Sequence, residues 1–206
     1  MSTLFYVVDP MCSWCYAFSP TWQKILDNLP SSIKVVYVQG GLAPTCDEDM
    51  PVSMQMMLQD TWKQIHQRVG TSFNFDFWND CKPRRSTYLS CMAAISARMQ
   101  NKEKEMVAAI QKQYYLNAQN PSDKNTLVDA ARTIDLDIKK FSEDLESDIV
   151  LKKFNEDLNL KEKLKVMGFP SLVLKYKNNY FPIKIEYNYA EKMLSQINDL
   201  NDNIYF

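Results

Sequence analysis

Cys12 and Cys15, separated by Ser13-Trp14, stand between a short apolar run and a helical pattern. Leu4 to Val8 is rich in Phe, Tyr and Val and has the length of a buried strand. Phe18, Trp22, Ile25, Leu26 and Leu29 then recur at helical spacing. The two thiols are thereby predicted to sit where a strand passes into a helix. At a helix N-terminus, unpaired peptide N–H groups and the helix dipole favour an anion. A thiolate on Cys12 is such an anion, so its pKa is expected below that of a free thiol. The helical turn holds Cys15 close enough to attack a mixed disulfide on Cys12.

Five cysteines in 206 residues are an odd number and too sparse for a disulfide scaffold. Cys12 and Cys15 pair naturally. Cys46, Cys81 and Cys91 read as buried or incidental thiols. A net charge of −1 argues for neither a nucleic-acid partner nor an anionic membrane surface. No apolar run is long enough to span a bilayer. The opening residues lack a basic segment followed by an apolar one, because Leu4 to Val8 stops at Asp9-Pro10. A cytoplasmic location is therefore expected. At 46% hydrophobic, the chain can build one sizeable core or a core plus an inserted module.

Along the chain, Pro20 falls inside the first helix and should bend it. Trp14 is expected to be exposed beside the two cysteines. Ile33 to Val38 reads as a second strand, followed by a Gly40-Gly41-Leu42-Ala43-Pro44 loop whose glycines let backbone come close to another segment. Met54, Met57, Leu58, Trp62 and Ile65 have helical spacing. They read as a core face, or as a Met-lined groove that adapts to unfolded peptides. His66, the only histidine, reads as a surface or capping residue. Phe73 to Trp78 is an aromatic segment, packed on the core or forming a surface patch. Ser86 or Thr87 is placed to cap a helix carrying Leu89, Met92, Ala93, Ile95 and Met99. Further helices are predicted over 103–116, 124–134, 138–146 and 150–165. Strands return at Ser171 to Leu174 and Tyr180 to Ile185, joined by a Lys177-Asn178-Asn179 turn. Asn188, with Glu191 three residues on, is placed to cap a last helix with Tyr189, Met193, Leu194 and Ile197 on its inner face.

The order is strand, helix, strand, helical block, two strands, helix. With Asp9-Pro10-Met11-Cys12-Ser13-Trp14-Cys15-Tyr16-Ala17-Phe18-Ser19-Pro20, Gly40-Gly41-Leu42, Cys91-Met92-Ala93-Ala94, Tyr114-Tyr115-Leu116 and Gly168-Phe169-Pro170-Ser171-Leu172-Val173-Leu174, the chain resembles DsbA-family thioredoxin-fold proteins, and most closely their FrnE-like branch. The resemblance implies an α/β thioredoxin fold with an inserted all-helical subdomain. Residues 1–48 and 166–200 would form a discontinuous thioredoxin-like domain, 49–165 the insertion and 201–206 a loosely held tail. Pro170 would be the cis proline before the third strand, lying against the two cysteines.

The implied activity is that of a thiol–disulfide oxidoreductase or isomerase. Cys12 attacks and Cys15 resolves the mixed disulfide. Trp14, Phe169 and Pro170 meet the substrate, the last two through backbone pairing with an extended segment. Protein or peptide thiols and disulfides are the implied partners, reset by glutathione or a thioredoxin-type reductant, with no cofactor, no metal and a monomeric chain. Thioredoxin-like proteins often carry a buried carboxylate six residues before the first cysteine, and here that position is Tyr6. Asp9, at the strand end, is expected to be exposed. Proton transfer from Cys15 would then run through water. Ser13-Trp14 adds no positive charge, so an intermediate reduction potential is expected.

Two other readings use the same residues. One is a glutathione-dependent isomerase or transferase acting on a small aromatic substrate. The presence of both cysteines weighs against it. The other is a zinc module built from Cys12, Cys15 and two of Cys46, Cys81 and Cys91. A structural zinc site usually needs a second close pair, and these three are scattered.

Overall fold

A computed structural model describes residues 2–202 of the chain. It opens with β1 (Ser2–Val8), α1 (Ser13–Asn28) and β2 (Ile33–Gln39). A run of helices follows: α2 (Val52–Val69), α3 (Phe77–Asp80), α4 (Tyr88–Arg98), α5 (Glu103–Tyr115), α6 (Lys124–Arg132), α7 (Ile138–Leu145) and α8 (Asp148–Lys163). The chain returns to β3 (Ser171–Tyr176), β4 (Asn179–Ile183) and α9 (Ala190–Asp202). The four strands form one sheet in the order β2-β1-β3-β4. β1 runs parallel to β2, with Leu4 opposite Val35, and antiparallel to β3, with Leu4 opposite Leu174. β3 and β4 form the expected hairpin. The result is the α/β arrangement of a thioredoxin fold, with the helical run between β2 and β3.

β1 lacks a polar face because both of its faces are covered. Leu4, Tyr6 and Val8 point toward Phe18, Trp22 and Ile25 of α1 and Met193 and Ile197 of α9. Phe5 and Val7 point the other way, onto Val38, Val173 and Leu164. Pro20 lies inside α1 and has no N–H to offer the Tyr16 carbonyl one turn back. The Ser19 hydroxyl takes over that carbonyl at 2.8 Å, so the helix continues through the proline.

The helices between β2 and β3 pack around α4, whose Ala93, Ala94 and Ala97 are buried and let neighbouring helices approach closely. An aromatic cluster surrounds Trp62 of α2. Phe73, Phe75, Phe77, Trp78, Tyr114 and Tyr115 lie with ring centroids 4.9 to 6.0 Å from it. The aromatic segment at 73–78 is therefore packed on the core, its last two residues opening α3. Arg98 ties the block to the sheet. Its guanidinium bonds Glu103 and Asp157, each at 2.6 Å. Asp157 accepts from the Gln39 N–H at 2.8 Å, at the end of β2.

Several local expectations are corrected. Trp62 and Ile65 are buried, but Met57 is 55% exposed, so the α2 stripe is core only in its C-terminal half. Thr87 precedes α4 without capping it, because its hydroxyl is bonded to Asp9. The last helix begins at Ala190, later than a cap at Asn188 requires, and Tyr189 is exposed with the Lys192 ammonium over its ring. Of the expected tail, Asn201 is buried in α9 and accepts from the Ser2 hydroxyl at 2.7 Å. Residues 203–206 lie outside the described residues.

Candidate active site

Cys12 is the residue flanking the N-terminus of α1, in extended conformation. Its N–H donates to the Asp9 carbonyl at 3.0 Å, and its carbonyl accepts from the Tyr16 N–H at 3.0 Å. The Tyr115 hydroxyl donates to the Met11 carbonyl at 2.7 Å and pins the turn from the α5 side. The Cys12 thiol thus stands at the helix start, as the sequence predicts. Cys15 is one turn inside α1 and fully buried. Burial pushes the Cys15 thiol well above its ordinary pKa, and the adjacent Cys12 sulfur pushes it the same way.

The Cys12 thiol points at the Phe169 carbonyl, 3.6 Å away. The Phe169–Pro170 peptide is cis. Gly40 packs under the Phe169 ring so closely that a Cβ there would lie 2.3 Å from a ring carbon. The expected close backbone approach of this glycine is thus made to Phe169. Trp14 is half-buried rather than exposed. Its ring centroid lies 5.1 Å from that of Tyr187, and the Arg68 guanidinium stands 5.7 Å from its centroid. Arg68 comes from the C-terminal end of α2, so a cation reaches the site that Ser13-Trp14 does not contain.

Asp9 is the largest correction. It is fully buried, not exposed. Its Oδ1 accepts from the Met11 N–H at 2.8 Å. Its Oδ2 accepts from the Leu42 N–H and the Thr87 hydroxyl, both at 2.7 Å. Burial raises its pKa, and these hydrogen bonds oppose the rise. Tyr6, six residues before Cys12, packs between Trp22 and Tyr37.

A groove of about 220 Å³ opens beside the turn that carries Cys12. Met11 and Ser13 line it from the cysteine turn, Met54, Met57 and Leu58 from α2, and Arg85 from the rim. The Met-lined groove is therefore present, and it adjoins the Cys12 turn. The remaining cysteines do not converge on Cys12 and Cys15 as zinc ligands. Cys81 bonds the Ala118 carbonyl at 3.1 Å, and Cys91 lies against Asp9. Among the described residues no group of three His, Cys, Asp or Glu side chains stands in metal-binding geometry. Nor is any described helix long and apolar enough to cross a membrane.

A family model described as thioredoxin matches residues 5–196. The chain belongs to the thioredoxin family. Within it, the fold is of the DsbA-like kind. A putative protein disulfide isomerase from Nitrosomonas europaea superposes with a TM-score of 0.86 at 22% identity, covering 100% of this chain and 99% of that one. The cytosolic disulfide reductase DsbM from Pseudomonas aeruginosa gives 0.74 at 20% identity, covering 98% and 97%. Its structure with GSH gives 0.73 at 19% identity, covering 99% and 100%. At these identities the likeness establishes the fold. The ClpXP adapter protein SpxH of Bacillus subtilis is 22% identical over 172 residues, 82% of this chain and 56% of that protein. The chain spans about half the length of the curated relatives it matches.

The structure brings Cys12, Cys15, Trp14, Phe169 and Pro170, the five residues singled out in the sequence, to one end of the sheet. Asp9, Arg68 and Tyr187 join them there. Their contacts with Leu42, Thr87 and Trp14 join distant parts of the chain, so no local pattern marks them.

Proposed function

We propose that this protein is a thiol–disulfide oxidoreductase acting through Cys12 and Cys15. The observation that carries the reading is the Cys12 thiol at a helix N-terminus, 3.6 Å from the Phe169 carbonyl, with Cys15 buried one turn behind. A Cys12 thiolate attacks one sulfur of a substrate disulfide, and the other substrate sulfur leaves as a thiolate and takes a proton from water. Cys15 then loses its proton to water, attacks the Cys12 sulfur and releases the second substrate thiol. Two electrons pass from the protein dithiol to the substrate. The same steps reversed oxidise a substrate dithiol.

Phe169 and Pro170 present backbone to an extended substrate segment, and Trp14 forms the rim. The groove of Met54 and Met57 accepts an apolar side chain next to the reacting cysteine. In this reading 1–48 and 166–200 carry the chemistry, and 49–165 supply the groove. Protein or peptide disulfides are the substrates, and glutathione or a thioredoxin-type reductant restores the dithiol in a cytoplasmic setting.

The test is equilibration with glutathione buffers, followed by thiol trapping and mass spectrometry. A Cys12–Cys15 disulfide with a defined midpoint is expected. A midpoint near about −270 mV marks a reductase, and one near about −120 to −180 mV an oxidase or isomerase. No disulfide at any poise overturns the reading. Indifference of activity to Cys15→Ser would support the glutathione-dependent isomerase or transferase instead.

A second reading is an adapter that holds a partner without chemistry. It is favoured by the SpxH relatives and by exposed Val52, Met56 and Met57 on α2. Partner binding that survives Cys12→Ser, with no exchange in the native protein, would decide for it.

A further inference from the structure

Asp9 ends the chain's first strand and sits at the centre of a closed hydrogen-bond cradle. Its carboxylate meets the N–H of Met11, the N–H of Leu42, the hydroxyl of Thr87 and the thiol of Cys91, the last at 3.5 Å. Two of these are peptide N–H groups, which can only donate. Thr87 accepts from the Ala43 N–H at 3.1 Å, which leaves its own proton for Asp9. Four donors converge on the carboxylate, which is the surrounding that an ionised form requires. Among the described residues no Lys, Arg or His pairs with it. Arg98 is bonded to Glu103 and Asp157.

The same residue holds the thiols. Its carbonyl accepts from the Cys12 N–H, and its own N–H faces the Cys15 sulfur. The charge is thereby locked relative to the pair. The titratable groups around it are Cys12 at the start of α1 and Cys15 within it, Cys91 on α4, and Tyr114 and Tyr115 on α5, with Asp157 of α8 acting on Cys91. None is a cation.

We infer that Asp9 is a built-in buried anion that holds the Cys12–Cys15 pair on the reducing side of thiol–disulfide exchange. A dithiol couple becomes oxidising when its reduced form gains stability as a thiolate. A fixed negative charge beside the pair removes that gain. The dithiol is then less stable relative to the disulfide, and it passes two electrons to a substrate disulfide more readily, each product sulfur taking up a proton. Asp9 acts through the thiols and is a positioning residue. The inference rests on the exchange reading and gives that reaction its direction.

The experiment equilibrates the native protein and Asp9→Asn with reduced and oxidised glutathione between pH 5 and 9, and counts Cys12–Cys15 disulfide by alkylation and mass spectrometry. Asp9→Asn is expected to shift the equilibrium toward the dithiol by about threefold or more at pH 8, the shift shrinking as pH is lowered toward 5, because a neutral dithiol offers no charge for Asp9 to repel. A purely structural disturbance would shift it equally at every pH. A pH-independent shift, or one toward the disulfide, overturns the inference. If Asp9→Asn does not fold, Asp9→Ser, a second uncharged replacement, should give the same pH-dependent shift. No such shift overturns it equally. Failure of the native protein to form the Cys12–Cys15 disulfide strikes the exchange reading itself, so the two failures are told apart.

Discussion

The Cys12 thiol and the Phe169 carbonyl, 157 positions apart in sequence, face each other at 3.6 Å. A sulfur so placed is already aligned with a backbone edge on which an extended substrate can pair. Cys15, fully buried behind it, has a thiol whose pKa is raised chiefly by burial. It is suited to the second, internal attack rather than the first. Cys15→Ser should therefore accumulate a mixed disulfide on Cys12, seen as added mass that dithiothreitol removes. Cys12→Ser should lose exchange by at least about a thousandfold. Equal adduct formation on both single variants would contradict the division of roles.

Gly40 makes a sharper test, because it never touches substrate in this account. An added Cβ would lie 2.3 to 2.9 Å from three atoms of the Phe169 ring, so the ring must move. Gly40→Ala should cost about 1–3 kcal/mol in stability. It should also slow exchange about tenfold by displacing the Phe169 carbonyl from Cys12. Gly168→Ala, whose added carbon meets nothing within 4 Å, is the matched control. Thermal unfolding and a disulfide-reduction assay on both variants check this. Similar rates in the two would mean that Phe169 does not position substrate.

Arg68 stands over the Trp14 ring without a carboxylate partner among the described residues. Exposed cation–π contacts contribute about 0.5–1 kcal/mol, so Arg68→Ala should leave stability nearly unchanged. Its effect should appear with anionic substrates. Reduction of glutathione disulfide is expected to slow about two- to fivefold at low salt, and the difference should fade near about 1 M salt as the charge is screened. A salt-independent loss would point to packing against Trp14 instead.

Met57 lines the groove and is more than half exposed, so it contributes little to the core. Met57→Glu should change stability by no more than about 0.5 kcal/mol. It should weaken reduction of apolar peptide disulfides about fivefold or more while sparing glutathione disulfide, which is too small and polar to need the groove. Equal loss on both substrates would remove the groove from substrate binding.

The strand-to-helix placement of Cys12 and Cys15 is legible in sequence because it rests on short-range periodicity, which local sterics and burial enforce. The helices from 103 to 163 are legible for the same reason, with ends shifted by only a few residues. Asp9 is not. An acid before a proline at a strand end has the composition of a solvated turn, and its burial is decided by Leu42 and Thr87, 33 and 78 positions away. Arg68 reaches Trp14 only because α2 folds back over α1. The α2 stripe misleads in the opposite direction. Helical spacing says which residues share a face, not whether another element covers it, and Met57 is left open in the groove that Met11 and Ser13 also line.

Arg98 shows how far the site depends on groups that never touch it. Glu103 and Asp157 share its guanidinium, and Gln39 links both carboxylates to the end of β2, next to the Gly40 loop. Burial raises the pKa of Glu103, and Arg98 opposes that rise. Arg98→Met leaves two carboxylates without their cation and should cost about 2–4 kcal/mol near neutral pH. The pH dependence fixes the sign. Without Arg98 the Glu103 pKa in the folded state rises further above its unfolded value, so the folded chain binds more protons than the unfolded one. Stability of the variant must then fall as pH increases through the carboxylate range, and the deficit against the native protein must narrow as pH is lowered. Thermal unfolding of both proteins from pH 4 to 8 measures this. A deficit that stays constant across that range would mean that Arg98 acts through packing alone, and that the charges at the base of the Gly40 loop are not what holds it beside Phe169.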